Sequence, residues 1–243
     1  MRKDLPLALL AVLIAVGIGM ITAWPYVQNA GLPADNDAEL HVYRIAEMGY
    51  SLEAGNPYPR WAPDFFHGYG YPIFNYYAPL TYHLGHWLTL GHPERAAEGA
   101  RLTFIVALII GAVGAYRLGR FFGGRSGGLL GSLAFATSPY ILLINPHIRG
   151  DLAETLALAF LPWALWGWEL VWRRGRASTV LAASAATAAV FLSHNLSGLT
   201  VVALVAGLGL WRWWVPSRQG RVPDSRGAHV PGHHPSLGWP VSA

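Results

Sequence analysis

The sequence has no cysteine. A disulfide framework, a zinc–thiolate site, an iron–sulfur cluster and a cysteine nucleophile are therefore excluded. Charge is also scarce. The 17 Lys+Arg and 13 Asp+Glu residues make up 12% of 243 residues, about half the share of roughly 25% in a soluble domain. That argues against a disordered chain, a coiled coil and an ordinary soluble enzyme. The net charge is +4, but Lys3 is the single lysine and the arginines are scattered. A nucleic-acid partner would call for a clustered basic surface, so none is expected. What the chain has instead is 53% hydrophobic residues, with 11 Trp, 11 Tyr and 9 Phe. A mean hydropathy of only +0.32 implies a very apolar part averaged with a polar one.

Leu5–Trp24 is an uncharged apolar run of 20 residues, enough to cross roughly 30 Å of hydrocarbon as a helix. It is too long for a signal-peptide core and lacks a small-residue cleavage site, so a span is preferred. Further apolar segments give an all-α membrane protein with six expected spans, at about 5–24, 101–117, 126–145, 152–172, 177–193 and 196–214. The second and fourth reach spanning length if Arg101, Arg117 and Glu169 lie at the interface, where long side chains snorkel. Residues 1–215 form the polytopic domain. Residues 216–243 are rich in Pro and Gly and are expected to be a disordered tail. Its His229, His233 and His234 lack an accompanying carboxylate cluster and read as solvated rather than metal-binding.

Basic residues alternate between connections. Arg2 and Lys3, then Arg117, Arg120 and Arg125, then Arg173, Arg174 and Arg176, then Arg212 and Arg218 all fall on one side. The positive-inside rule puts that side, with both termini, in the cytoplasm of a multi-pass inner-membrane protein. Three outer connections remain. Two are short, at Pro146–Asp151 and His194–Ser197. The first, 25–100, is about 76 residues long and crowded with tyrosines. Loops of that length tend to be functional. Its aromatics suit the membrane interface, and would also suit stacking against sugar rings.

The outer connections carry the candidate chemistry. Asp37, His41 and Arg44 are spaced i, i+4, i+7 and share one stripe of an expected amphipathic helix. A carboxylate one turn before a histidine can act as a base–orienter pair or as two metal ligands. The alternative is local: Asn36 as N-cap with Glu39 at N3 resembles a capping box. In the second connection His147, Arg149, Asp151 and Glu154 cluster. Asp151 and Glu154 there read equally as the cap of the next helix. The third adds Ser193, His194 and Asn195. Between them, the Pro- and Gly-rich run 56–80 excludes a regular helix and leaves Arg60 and His67 as polar candidates, followed by a short helix near Thr81–Leu90. Arg60 beside Trp61 can meet a phosphate or stack on a ring. One outward-facing site built from all three connections is the simplest reading.

The strings Asp37-Ala38-Glu39-Leu40-His41-x-Tyr43-Arg44, Tyr58-Pro59-Arg60-Trp61-Ala62-Pro63, Gly68 through Tyr77 and Arg149-Gly150-Asp151-Leu152-Ala153-Glu154 resemble bacterial membrane proteins termed 6-pyruvoyl-tetrahydropterin synthase-related. Nothing in the chain resembles a soluble pterin enzyme. The pattern also resembles the GT-C class of polytopic glycosyltransferases over about Leu5–Trp214. That resemblance implies transfer of a sugar from a polyprenyl-phosphate donor, with Asp37 as base toward the acceptor or as metal ligand and Asp151 as a second acid. His41, Arg44, Arg60, His67, Arg149, Glu154, His194 and Asn195 would contact substrate. A magnesium or manganese ion held by Asp37 and Asp151 is a further expectation, since hard oxygen ligands favour such ions. Such proteins usually have more spans, so the chain is expected to be an N-terminal fragment. Membrane lipid is the other expected partner, and oligomeric state is left open. A transporter would place charges at helix centres and show repeated halves, and neither pattern occurs. A non-catalytic or lipid-binding scaffold, or an inactive fragment, remains the alternative; it leaves the polar clustering unexplained.

Overall fold

The computed structural model describes residues 5–29, 31–32 and 37–214. The expected capping residue Asn36, the tail 216–243 and its histidines lie outside them. The described residues contain no strand, only an isolated bridge between Ala62 and Tyr71. The chain divides into a compact unit through Gly207 and a second unit from Leu208. Of the latter, the described part is the end of the last helix.

In order, the elements are α1 (Leu5–Thr22), α2 (Trp24–Gln28), α3 (Ala38–Glu53), α4 (Ile73–Tyr76), α5 (Leu80–Leu88), α6 (Ala96–Ala136), a π-helical segment (Tyr140–Arg149), α7 (Leu152–Arg174), α8 (Ala177–Ser193) and α9 (Asn195–Trp214). Among the described residues four helical stretches are long and apolar enough to cross a membrane: Leu5–Thr22, Pro93–Arg149, Leu152–Arg174 and Asn195–Trp214. Ala177–Ser193 is apolar but shorter.

The longest stretch is two helices. Gly123 and Gly124 leave helical geometry (φ −125° and +64°) and α6 folds back on itself there. The arms pack through glycines: a Cβ on Gly119 would lie 2.4 Å from the Gly127 carbonyl oxygen, and one on Gly128 2.7 Å from the Tyr116 ring. This is the reversal that Arg117, Arg120 and Arg125 suggest in the sequence. Beyond it, the expected span 126–145 does not end in a simple loop. The chain stays wound as a π-helix to Arg149 and stops at Gly150 (φ +67°).

Small residues line the helix contacts and large ones face outward. On α1, Ala11, Ala15 and Gly19 recur every four residues and are buried, Ala11 and Ala15 against Tyr116. Leu5, Leu7, Leu9, Leu10 and Leu13 are exposed. In lipid no hydrophobic force draws helices together, so close backbone approach at small residues supplies the packing. Glu169 of α7 is only 1% exposed.

The long connection 25–100 is folded rather than draped. Ile45 and Met48 of α3, Phe74, Tyr82 of α5, Phe104 of α6 and Leu152 of α7 form one apolar core. Gly85 and Gly99 let α5 settle on α3 and α6, since a Cβ on either would fall within 2.6 Å of a neighbour. Asp151 begins α7 and Arg173 and Arg174 end it. At about 1.5 Å per residue, its 23 residues separate the two ends by about a bilayer's thickness. Arg173 lies 3.9 Å over the Phe121 ring, so the two arginine-rich turns share one end.

Replacing Gly119 by valine is expected to force the arms of α6 apart and cost about 1–3 kcal/mol. Gly123→Ala, where a Cβ meets nothing within 4 Å, is expected to be near neutral. Thermal unfolding of the detergent-purified variants checks both.

Candidate functional site

Helix α3 begins beside the second outer connection because the Asp37 backbone N–H donates to the Arg149 carbonyl at 3.0 Å. Asp37 occupies the N-cap, is partly buried, and makes no side-chain cap bond. Its carboxylate has no partner among the described residues. The partner expected for Glu39 in a capping box, Asn36, lies outside the described residues; Glu39 is exposed and accepts from the Tyr43 hydroxyl at 3.3 Å.

The stripe read as polar in the sequence is buried. His41 is 2% and Arg44 7% exposed. They face polar groups from α5 and α7 rather than water. His41 Nε2 lies 3.5 Å from Asp151 Oδ1, and His41 Nδ1 3.4 Å from the Tyr82 hydroxyl. Arg44 Nη1 donates to the same hydroxyl at 3.3 Å, and the Arg44 guanidinium lies 3.9 Å over the Tyr77 ring. The Tyr82 hydroxyl and the two His41 ring nitrogens thus join Arg44 to Asp151.

Asp151 is the hub. As N-cap of α7 its Oδ1 accepts from the Glu154 N–H at 2.9 Å, as the sequence pattern suggests. Its Oδ2 accepts from Arg149 Nη2 at 3.2 Å. Burial alone would raise its pKa. The His41 hydrogen bond, the Glu154 N–H and the charges of His41 and His194 outweigh that and hold it at about 2. Arg149 also reaches Glu154 Oε2 at 2.5 Å, Asn145 Oδ1 at 3.0 Å and the Tyr140 hydroxyl at 2.7 Å. Asn145 in turn donates to Thr155 Oγ1 at 2.9 Å. The Tyr26 hydroxyl donates to the Pro146 carbonyl, tying α2 to this segment.

The third connection joins through Asn195 Nδ2, which donates to the Tyr76 carbonyl at 2.7 Å. His194 Nδ1 sits 2.9 Å from Ser197 Oγ. The three polar connections thus meet. Two sequence candidates stay apart from the Asp151 cluster. Arg60 is exposed, donating to Asn75 Oδ1 at 3.1 Å, and His67 is exposed at a turn with φ +60°. Sequence reasoning missed Tyr82, Tyr77, Asn145 and Tyr140. Nothing distinguishes Tyr82 from its many neighbouring tyrosines, whereas Asn145, a lone amide closing an apolar run, was a usable signal.

Two clefts flank the network. One of about 700 Å³ is lined by Leu40, Tyr43, Arg44, Phe65, Phe66, Tyr71 and Ile73. The other, about 580 Å³, is lined by Tyr76, Tyr77, Ala78, Ser193, His194, Asn195 and Leu196. The metal expectation fares poorly. Among the described residues no three of His, Asp and Glu converge. Both Asp151 oxygens are already engaged by protein donors. The arrangement does not fit a divalent ion at Asp37 and Asp151, and no step is derived through one.

Because the folded pKa of Asp151 lies below its ordinary value of 3.8, its stabilisation is complete above about pH 4 and is lost as pH falls through about 2. Asp151→Asn keeps a competent cap but removes the charge. It is expected to lower stability at neutral pH by roughly 1–3 kcal/mol and to flatten the acid limb. Melting temperatures in detergent between pH 7 and 2 read both effects.

A family model described as 6-pyruvoyl-tetrahydropterin synthase related domain, membrane protein, matches residues 74–226. No curated protein matches the chain. No solved structure matches it either. The matched span takes in Arg149, Asp151, Glu154, His194 and Asn195, and it begins after Asp37, His41, Arg44, Arg60 and His67. It covers more than half of the chain, so the protein belongs to the 6-pyruvoyl-tetrahydropterin synthase related family of membrane proteins.

Proposed function

We propose that the protein is a GT-C-like glycosyltransferase domain that moves a sugar from a polyprenyl-phosphate donor to an acceptor at the outer face of the cytoplasmic membrane. The arginine-rich turns and both termini would then lie in the cytoplasm, six segments would cross the bilayer, and the connections bearing acids and histidines would face out. The observation that carries this reading is the Asp37 N–H to Arg149 carbonyl bond. It joins the two acid-bearing connections that lie far apart in sequence.

Within that reading the carboxylates divide their work. Asp151 is engaged on both oxygens and held at a low pKa, which suits a positioning role for His41 and Arg149. Asp37 is partly exposed with no side-chain partner among the described residues, which suits a base. It would take the proton of the acceptor hydroxyl as that oxygen attacks the anomeric carbon. The bond from that carbon to the phosphate oxygen would break, and the polyprenyl phosphate would leave with the electron pair. His194, Arg60 and Arg149 are the cations proposed to face the leaving charge. Arg149 is already committed to Glu154 and Asp151, which makes it the least free of the three. Glu154 and Asn195 would shape the site from the second and third connections, and His67 would meet substrate from the long one.

The test is transfer in proteoliposomes supplied with a polyprenyl-phosphate sugar and a lipid acceptor. Asp37→Asn is expected to lower the rate by roughly 100-fold or more, the scale of general-base catalysis. Transfer at the unaltered rate in that variant would remove Asp37 from the mechanism.

A further inference from the structure

The charge balance around Arg44 is incomplete. The side chain is 93% enclosed, from an exposure of 7%, yet no carboxylate contacts it among the described residues. Its partners are a neutral phenol, Tyr82, and the face of another, Tyr77. Burial drives the Tyr82 hydroxyl pKa well above its usual range despite the opposing Arg44 charge, so that oxygen stays protonated and brings no negative charge. A guanidinium offers five N–H donors. One of them is used on Tyr82, and Nε and Nη2 have no protein partner among the described residues. Neither nitrogen is fully enclosed, so an anion entering the cleft that Arg44 lines can reach them.

Arg44 lines the larger cleft, whose other walls are aromatic and aliphatic. One wall is built with unusual backbone. Phe66 and His67 sit in the left-handed region at φ +54° and +60°, a conformation that side chains disfavour and that persists only where surroundings impose it. The imposition is visible. Ala62 and Tyr71 exchange backbone bonds at 2.8 and 2.9 Å, and the Gly70 N–H closes on the Phe65 carbonyl at 2.8 Å. Gly70 itself tolerates no Cβ, which would lie 2.4 Å from Trp61. The turn therefore sets Phe65 and Phe66 as part of the cleft lining.

We infer that this cleft binds a phosphate-bearing amphiphile, with Arg44 as the sole charged anchor of the phosphate and Leu40, Phe65 and Phe66 receiving the apolar portion. Phosphate is the anion class that best uses a planar fork of donors. One cation among apolar walls matches a single headgroup on a lipid chain better than a free, fully hydrated anion. The inference deepens the transfer reading by giving a lipid phosphate a seat, and its binding chemistry stands without any turnover.

The test is calorimetric binding to the purified full chain in a neutral detergent, with dodecyl phosphate as probe and inorganic phosphate and dodecanol as controls. Dodecyl phosphate is expected to bind, and both controls much more weakly. Arg44→Gln is expected to weaken dodecyl phosphate by about tenfold or more, as loss of a charge-assisted pair would. Phe66 is exposed, so Phe66→Ala keeps the test readable if Arg44→Gln fails to fold; it is expected to lower affinity for dodecyl phosphate and leave inorganic phosphate unchanged. Equal binding of dodecyl phosphate to wild type and both variants overturns the site. Inorganic phosphate binding as tightly as dodecyl phosphate overturns the amphiphile and leaves a free anion as the ligand. Loss of dodecyl phosphate binding in the variants, with no sugar transfer by the wild-type chain, retains this cleft and removes the transferase.

Discussion

The Asp151 carboxylate lies where three elements end, and its two oxygens hold all of them. One oxygen caps α7 through Glu154 and meets His41 from α3, and the other takes Arg149 at the close of the π-helical segment. Such a carboxylate is expensive to bury without partners and firmly ionised with them. The same bonds that satisfy it fix where α3 starts relative to α7, and therefore where Asp37 emerges. A π-helical run with Pro146 inside it is a poor helix on its own terms. Arg149 and Asn145 reinforce it, through side-chain bonds to Tyr140, Glu154 and Thr155.

Away from this joint the chain packs by a different rule. Gly19, Gly111, Gly119, Gly167 and Gly198 each sit where a Cβ would come within 2.9 Å of a neighbouring atom. Glycines in helices lower intrinsic stability in water, but between apolar helices they permit backbone contact that larger side chains would block. Rigid helix pairs then act as a frame, and the polar joint at their outer end is positioned by the frame rather than by its own chain segments. This explains why a connection about as long as three helices can be ordered: Tyr82, Phe74 and Ile45 are anchored on Phe104 and Leu152 of the frame.

What could be read from the sequence follows from the range of each interaction. The α7 cap was legible because Asp151 and Glu154 are three residues apart. The reversal in α6 was legible because glycines and arginines interrupt an apolar run. Residue types at the joint were legible too, since acids, His and Asn recur in each outer connection. The pairing was not. His41 with Asp151, or Asn195 with Tyr76, depends on which helices touch, and nothing local encodes that. The burial of the α3 stripe was missed for the same reason: Asp37, His41 and Arg44 have the spacing of a solvated face, and only the partner elements decide whether water or protein covers it. Tyr82 had no signal at all, being one tyrosine among many until α5 turns it inward.

The polarity of the buried chain carries a last consequence. Arg44 donates to Tyr82, the Tyr82 hydroxyl meets His41 Nδ1, and His41 Nε2 faces Asp151, so both ends of the chain are ionised groups. Such a chain is cooperative, because each donated proton polarises the next bond. An anion arriving at Arg44 would draw its N–H groups away from Tyr82, weaken the Tyr82 to His41 bond, and leave His41 more dependent on Asp151. Asp151 also takes the Arg149 side chain, and the Arg149 backbone carbonyl takes the Asp37 N–H. The larger cleft and the start of α3 at Asp37 are therefore joined by polar contacts that run through the Arg149 backbone and side chain. Occupancy of one has a physical route by which to bias the position of the other.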